Sequence, residues 1–141
     1  MEEPHRFTLR VYYEDTDMGG IVYHANYLRY IERARSDWVR GMGIDQMEMR
    51  AEGRVFAVRR IEADYLAPAR LDEILEVETT VVAAGPARMG MRQEISRDGK
   101  IIFRADVTLV CIGQGGQPVR LPAELRHIGA GGASREGHTP P

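Results

Sequence analysis

Residues 26–43 read NYLRYIERARSDWVRGMG. Tyr27, Leu28, Ile31, Ala34, Arg35, Trp38, Val39 and Met42 fall at i, i+1, i+4, i+7, i+8, i+11, i+12 and i+15, which is one stripe of an α-helix. Arg29, Glu32, Arg33, Asp37 and Arg40 take the opposite side. Asn26 has the side chain of an N-cap, and Gly41 and Gly43 supply the stop. Some 16 residues give roughly 24 Å of helix with one apolar side to bury. A second, short helical stretch is expected near Asp45–Glu52.

Outside this region the period is two. Phe7, Leu9, Val11 and Tyr13 alternate with Thr8, Arg10 and Tyr12, which predicts a half-buried strand over Phe7–Tyr13. After the helix, Phe56 and Val58 hold one parity and Ile61, Ala63 and Tyr65 the other, so a β-bulge is expected at Arg59–Arg60. Pro68 ends that strand. Leu75, Val77, Thr79 and Val81 form the next, and Met89, Met91, Gln93 and Ile95 the fourth. Asp98-Gly99 is a hairpin signal, and Ile101, Phe103, Ala105, Val107, Leu109 and Cys111 complete five strands. The order is β-α-β-β-β-β. An α+β fold follows, with a curved antiparallel sheet wrapped round one long helix. One helix covers one face of so much sheet, so the edge strands and outer face invite self-association.

The chain has 141 residues, 43% hydrophobic and 28% charged, with a net charge of −2. That is one ordinary globular domain, expected over residues 1–128, and it argues against electrostatic capture of nucleic acid. Gly113–Pro141 holds seven of the fifteen glycines and four of the seven prolines. A short RLPAELRHI segment is expected to dock, and residues 129–141 to form a disordered tail. No apolar run approaches the roughly 18 residues of a membrane span. MEEPHRFTLR has no apolar core of a signal peptide, so a cytoplasmic protein is expected.

The inventory removes several chemistries. Ser36, Ser96 and Ser134 lie outside any G-x-S-x-G elbow, and Lys100, the only lysine, sits in the turn-like RDGK. Cys111 lies in the apolar run TLVCIG, the setting of a packed thiol rather than a nucleophile. The four histidines lack metal-ligand spacing and no cysteine pair exists, so no metal and no cofactor is expected. Carboxylates, backbone amides and one histidine are what remain.

They gather in YYEDTDMGGIVYHANY, Tyr12 to Tyr27, the junction of the first strand and the helix. Glu14, Asp15 and Asp17 precede Gly19-Gly20, whose lack of side chains lets the backbone approach something closely. An acidic patch of this kind is ordinarily a capped, solvated turn. Ile21, Val22 and Tyr23 make the next residues apolar, which puts Asp17 at the edge of a buried pocket. A helix N-terminus follows at once, and its free N–H groups suit a developing oxyanion.

D-x-x-G-I-V-Y-H-x-x-Y in this segment resembles the signature of hotdog-fold acyl-CoA thioesterases of the 4-hydroxybenzoyl-CoA thioesterase class. Within that class the resemblance is to the small bacterial thioesterases associated with the Tol-Pal cell-envelope system. It extends through YIERARSDWVR, VRRIEADYLAPARLDEILEVET and ADVTLVCI, roughly residues 6–125. The resemblance implies a hotdog fold, hydrolysis of acyl-CoA to acid and CoA, and Asp17 as the catalytic carboxylate. It implies His24 as the active-site histidine, with its backbone N–H polarising the thioester carbonyl. Tyr13 matches a tyrosine of the same pocket, although core packing explains it equally well.

Family sites form across a dimer interface, so the resemblance puts Val58, Arg59 and Tyr65 against substrate from a partner chain. Arg59 and Arg60 fit an exposed bulge as well as a CoA phosphate contact. A homodimer or a tetramer of two dimers is implied, with cell-envelope or phospholipid-synthesis proteins as partners. Thioester hydrolysis asks little of the base because the thiolate is a good leaving group, so a carboxylate suffices, either by direct attack or by deprotonating water. Two other functions stay open. Hotdog dehydratases carry a histidine-led motif with prolines that is absent here. A non-catalytic acyl-CoA-binding or scaffold module would share the fold.

Overall fold

The computed structural model describes residues 4–132. The elements are β1 (His5–Arg10), α1 (Asn26–Gly41), α2 (Gln46–Ala51), β2 (Val55–Tyr65), β3 (Ile74–Ala84), β4 (Arg88–Arg97), β5 (Lys100–Ile112) and α3 (Ala123–Gly132). The strands form one sheet in the order β1-β3-β4-β5-β2, with β1 and β2 at its edges. The fold is α+β, five strands and one long helix, in the expected order. Chain contacts divide it into two compact units through which the long strands and α1 both run.

The first unit holds the chain up to Trp38, Ala63–Thr80 and Gln93–Ala105. Here β1 pairs antiparallel with β3, Phe7 opposite Val77 and Leu9 opposite Leu75. Alternate residues share a face, and on this one Leu75 and Val77 are fully buried. On the other face Arg6 pairs with Glu76 and Glu78, exposed contacts worth at most about 1 kcal/mol. The alternation predicts β1 as far as Tyr13, but the strand ends at Arg10. Val11 N–H donates to Glu73 C=O and Asp72 N–H returns to Val11 C=O, after which Tyr13–Asp15 make one 3-10 turn. Tyr13 leaves the alternation and is 82% exposed.

From α1 this unit buries Tyr27, Tyr30, Ile31, Ala34 and Arg35, while Trp38 is half-buried. Full burial of each large side chain is worth about 1.5–3 kcal/mol. The polar member of the stripe, Arg35, is satisfied from β4. Its Nη1 donates to Gln93 Oε1 at 3.0 Å, and Gln93 Nε2 donates to Ile31 C=O and to Thr79 Oγ1, both at 2.9 Å. Desolvation lowers the Arg35 pKa. Between β4 and β5, Asp98 (φ +53°) and Gly99 (φ +81°) are both left-handed, the requirement of the two-residue turn their sequence predicts.

The second unit holds Val39–Glu62, Val81–Arg92 and the chain from Asp106. Val39, Ile44, Met49, Met89, Met91, Val107, Leu109, Cys111, Leu121 and Leu125 are buried apolar residues of this unit. Cys111 is core, as read, and burial raises its thiol pKa. Asp45 caps α2, accepting from Met47 N–H at 2.9 Å and Glu48 N–H at 3.2 Å. β2 is continuous through Arg59 and Arg60, and the three consecutive exposed residues Val58, Arg59 and Arg60 mark the change of parity. α3 takes up RLPAELRHI from Ala123 and continues to Gly132, four residues into the stretch read as a tail. Residues 133–141 of that expected tail lie outside the described residues.

Candidate active site

The acidic segment folds into a small antiparallel hairpin of its own. Tyr23 N–H donates to Asp15 C=O at 2.9 Å, Thr16 bridges Val22, and Asp17 N–H donates to Ile21 C=O at 2.9 Å. Gly20 N–H closes the tip on Asp17 C=O at 3.0 Å with φ +79°, a conformation that favours glycine. Gly19 N–H donates to Asp17 Oδ1 at 2.8 Å. A Cβ on Gly19 would stand 3.2 Å from that oxygen, so the group this glycine admits is the Asp17 carboxylate itself. Ile21 bridges Arg70 and Val22 N–H donates to Ala69 C=O at 2.8 Å, which fastens the hairpin to the chain beyond β2.

Asp15, at the base of the hairpin, is the buried carboxylate of the cluster, 3% exposed. Its Oδ2 accepts from Tyr12 N–H at 2.9 Å and its Oδ1 from Asn26 Nδ2 at 2.8 Å. Asn26 is therefore the first residue of α1 rather than its cap, because its side chain is committed to Asp15. The Tyr30 hydroxyl is buried nearby with no well-formed hydrogen bond. Burial first, then the Asp15 charge, raises its pKa.

Beside the hairpin lies an open apolar cleft of about 370 Å³. Ile21, Val22, His24 and Tyr27 line it from the hairpin and helix, and Tyr65, Leu66, Ala67 and Pro68 from the end of β2. Its floor is aromatic. Tyr27 stacks on Phe103 with centroids 5.1 Å apart, and Tyr65 meets Phe103 edge-on at 5.0 Å. The Tyr27 hydroxyl accepts from Ala69 N–H at 3.0 Å, and burial raises the pKa values of Tyr27 and Tyr65. Tyr65 donates its hydroxyl proton to His24 C=O at 2.9 Å.

The peptide unit before His24 is held as well, since Asn26 N–H donates to Tyr23 C=O at 2.8 Å. A trans peptide sets N–H opposite C=O, so the His24 N–H points away from the body of the helix. Among the described residues it has no partner in the chain. Such an amide suits an anionic oxygen. No group of three His, Cys, Asp or Glu able to hold a metal ion occurs among the described residues.

Residues 11–128 match the model of the thioesterase-like superfamily. The chain belongs to that superfamily. It is 39% identical over 108 residues to the acyl-CoA thioester hydrolase YbgC of Escherichia coli O6:H1, covering 76% of this chain and 81% of that one. It is 38% identical over 122 residues to the acyl-CoA thioesterase YbgC of Haemophilus influenzae, covering 85% and 90%. The crystal structure of a probable thioesterase from Bartonella henselae superposes with a TM-score of 0.81 at 36% identity, covering 85% of this chain and all of that one. The fold is the hotdog fold.

Against this superfamily's fold the expected site residues divide. The cleft brings together His24 and Tyr65 from one chain, whereas Tyr65 was expected from a partner. Asp17 is exposed at the hairpin tip and is not among the cleft's lining residues, in contrast to the buried edge its apolar neighbours suggest. Tyr13 is exposed and outside the lining, so it is neither core nor cleft wall within one chain. Val58 and Arg59 are exposed on β2 in the other unit. Sequence reading missed the burial of Asp15. The available signal was Asn26, whose amide is spaced to return to the acidic turn.

Proposed function

We propose that the chain hydrolyses acyl-CoA thioesters, with Asp17 as the reacting carboxylate and the His24 N–H as oxyanion donor. The observation that carries the reading is the unpaired His24 amide at the start of α1, on the rim of the apolar cleft and on the hairpin that presents Asp17. The acyl group takes the cleft and its carbonyl oxygen accepts from His24 N–H. Polarised in this way, the carbonyl carbon is attacked by Asp17 or by water that has given its proton to Asp17. The C–S bond then breaks and CoA leaves as the thiolate; after direct attack the acyl group stays on Asp17 as a mixed anhydride, which water cleaves to the free acid and the Asp17 carboxylate. The reading needs no metal or cofactor.

Names of the relatives support the substrate class. The exposure of Asp17 and Tyr13 supports a site completed by a second copy, with Val58 and Arg59 of the partner subunit on the substrate. The family resemblance extends the reading to a cytoplasmic protein acting beside cell-envelope or phospholipid-synthesis proteins. No helix among the described residues is long and apolar enough to cross a membrane.

Thiol release from acetyl-CoA and benzoyl-CoA tests the assignment. Asp17→Asn keeps the size and the Gly19 hydrogen bond but removes the charge, and it lowers kcat by roughly 100-fold or more. Glu14→Gln, an exposed neighbour, leaves kcat within about twofold. An Asp17→Asn enzyme with more than a tenth of the parent kcat rejects the role given to Asp17. Binding of both esters by the unaltered chain without thiol release rejects hydrolysis in favour of a binding module.

A further inference from the structure

Asp15 is a buried carboxylate that the reaction scheme leaves without work, and two of its partners, Asn26 and Tyr23, lead to the reacting groups. Its side chain holds Asn26, and the Asn26 N–H holds the Tyr23 carbonyl whose peptide carries the His24 N–H. Its own carbonyl accepts from Tyr23 N–H, the first bond of the ladder that ends at Asp17. We propose that Asp15 is a positioning residue for thioester hydrolysis: through Asn26 and Tyr23 it sets the direction of the His24 amide and the place of the Asp17 turn. The inference rests on the reading of Asp17 and His24 given above.

The two carboxylate oxygens have to be acceptors. Tyr12 N–H approaches one and the Asn26 amide the other, so an amide at position 15 that keeps its oxygen on Tyr12 N–H sets its NH2 against the Asn26 NH2 until the Asn26 side chain turns over. A group near 3% exposure has no water to relieve that conflict. Either the Asn26 amide turns over and a neutral bond replaces the stronger one to the carboxylate, or the hairpin and the first helical turn separate. Shifts on the order of an ångström at a reacting group are worth large factors in rate.

Exchanging the two side chains restores both bonds. In the Asp15→Asn, Asn26→Asp double variant the oxygen at position 15 still accepts from Tyr12 N–H. The amide at position 15 then donates to the carboxylate at position 26. That carboxylate lies at the helix N-terminus, where negative charge is favoured. The Asn26→Asp single variant instead brings two carboxylates together.

The experiment measures kcat and KM for thiol release from acetyl-CoA and benzoyl-CoA, with thermal midpoints, for both single variants, the double variant and Asp17→Asn. Each single variant is expected to lose at least about tenfold in kcat with KM within about threefold, and the exchange to return kcat to within about threefold of the parent. A purely structural Asp15 predicts lower midpoints and less folded protein with unchanged kcat per folded molecule. That result overturns the proposal, as does a folded double variant as slow as the singles.

If Asp15→Asn alone does not fold, Asn26→Asp and the double variant decide it by the same criterion. Failure of the underlying reading looks different. An active Asp17→Asn enzyme with no rescue by the exchange makes Asp15 the reacting carboxylate. An inactive Asp17→Asn enzyme beside a fully active Asp15→Asn enzyme rejects only the positioning role.

Discussion

The Tyr65 hydroxyl donates to the His24 carbonyl at 2.9 Å, from the last residue of β2 to the turn that opens α1. This bond fixes the peptide after His24, as the bond from Asn26 N–H to Tyr23 C=O fixes the peptide before it. His24, which lines the cleft, is therefore held on both sides.

Tyr65→Phe isolates the second restraint. The ring keeps its contacts with Phe103 and Tyr27, at 5.0 and 5.4 Å between centroids, so packing is preserved while the hydrogen bond is lost. A single hydrogen bond is worth about 0.5–1.5 kcal/mol, which sets the expected loss in kcat at roughly two- to tenfold. Thiol release measures it. An unchanged kcat means that the bond does not hold the His24 peptide.

The edges of the sheet carry a prediction about assembly. β2 is an edge strand, and Val55 and Val58 on it are 39% and 45% exposed. Edge strands with apolar side chains pair with other chains unless they are blunted, and two-fold pairing is the commonest closed solution. Sedimentation at micromolar concentration is expected to give a dimer or a tetramer. A species of 15.9 kDa with full activity contradicts both the assembly and the shared site.

Strand and helix were legible wherever burial has a simple period. Tyr27, Ile31, Ala34, Arg35 and Val39 of the helical stripe and the alternation Leu75, Val77, Thr79 are buried as their spacing demands, whereas Leu28, Trp38 and Met42 are half-buried and Tyr30, outside the stripe, is fully buried. Asp98-Gly99 was legible for a stereochemical reason, since its turn needs two left-handed residues. The junction was harder. β1 stops before Tyr13 because the Val11 carbonyl is taken by Asp72 N–H, a partner some sixty residues away that no local pattern reveals.

Within the site, Gly19 marks a close approach by the Asp17 carboxylate, whereas Gly20 is there for its left-handed backbone. Three neighbouring carboxylates look alike in the sequence. Only the fold separates exposed Glu14 and Asp17 from buried Asp15.

The network around Gln93 gives a last prediction, about stability. Gln93 is fully buried, and its one amide group meets three partners: Ile31 C=O, Thr79 Oγ1 and Arg35 Nη1. Gln93→Leu keeps approximate volume but leaves the Arg35 guanidinium, itself only 9% exposed, without that acceptor. The Glu32 charge still acts on the guanidinium, so the loss is that of a hydrogen bond to a charged group, about 1.5–3 kcal/mol. Arg35→Met in the same chain removes the guanidinium, so the double variant is expected to be more stable than Gln93→Leu alone. Urea unfolding at one fixed protein concentration, which holds any association constant, supplies the four free energies of the cycle. The coupling is expected at about 1–3 kcal/mol. If the two losses simply add, Arg35 and Gln93 act independently and the charge is stabilised by solvent rather than by β4.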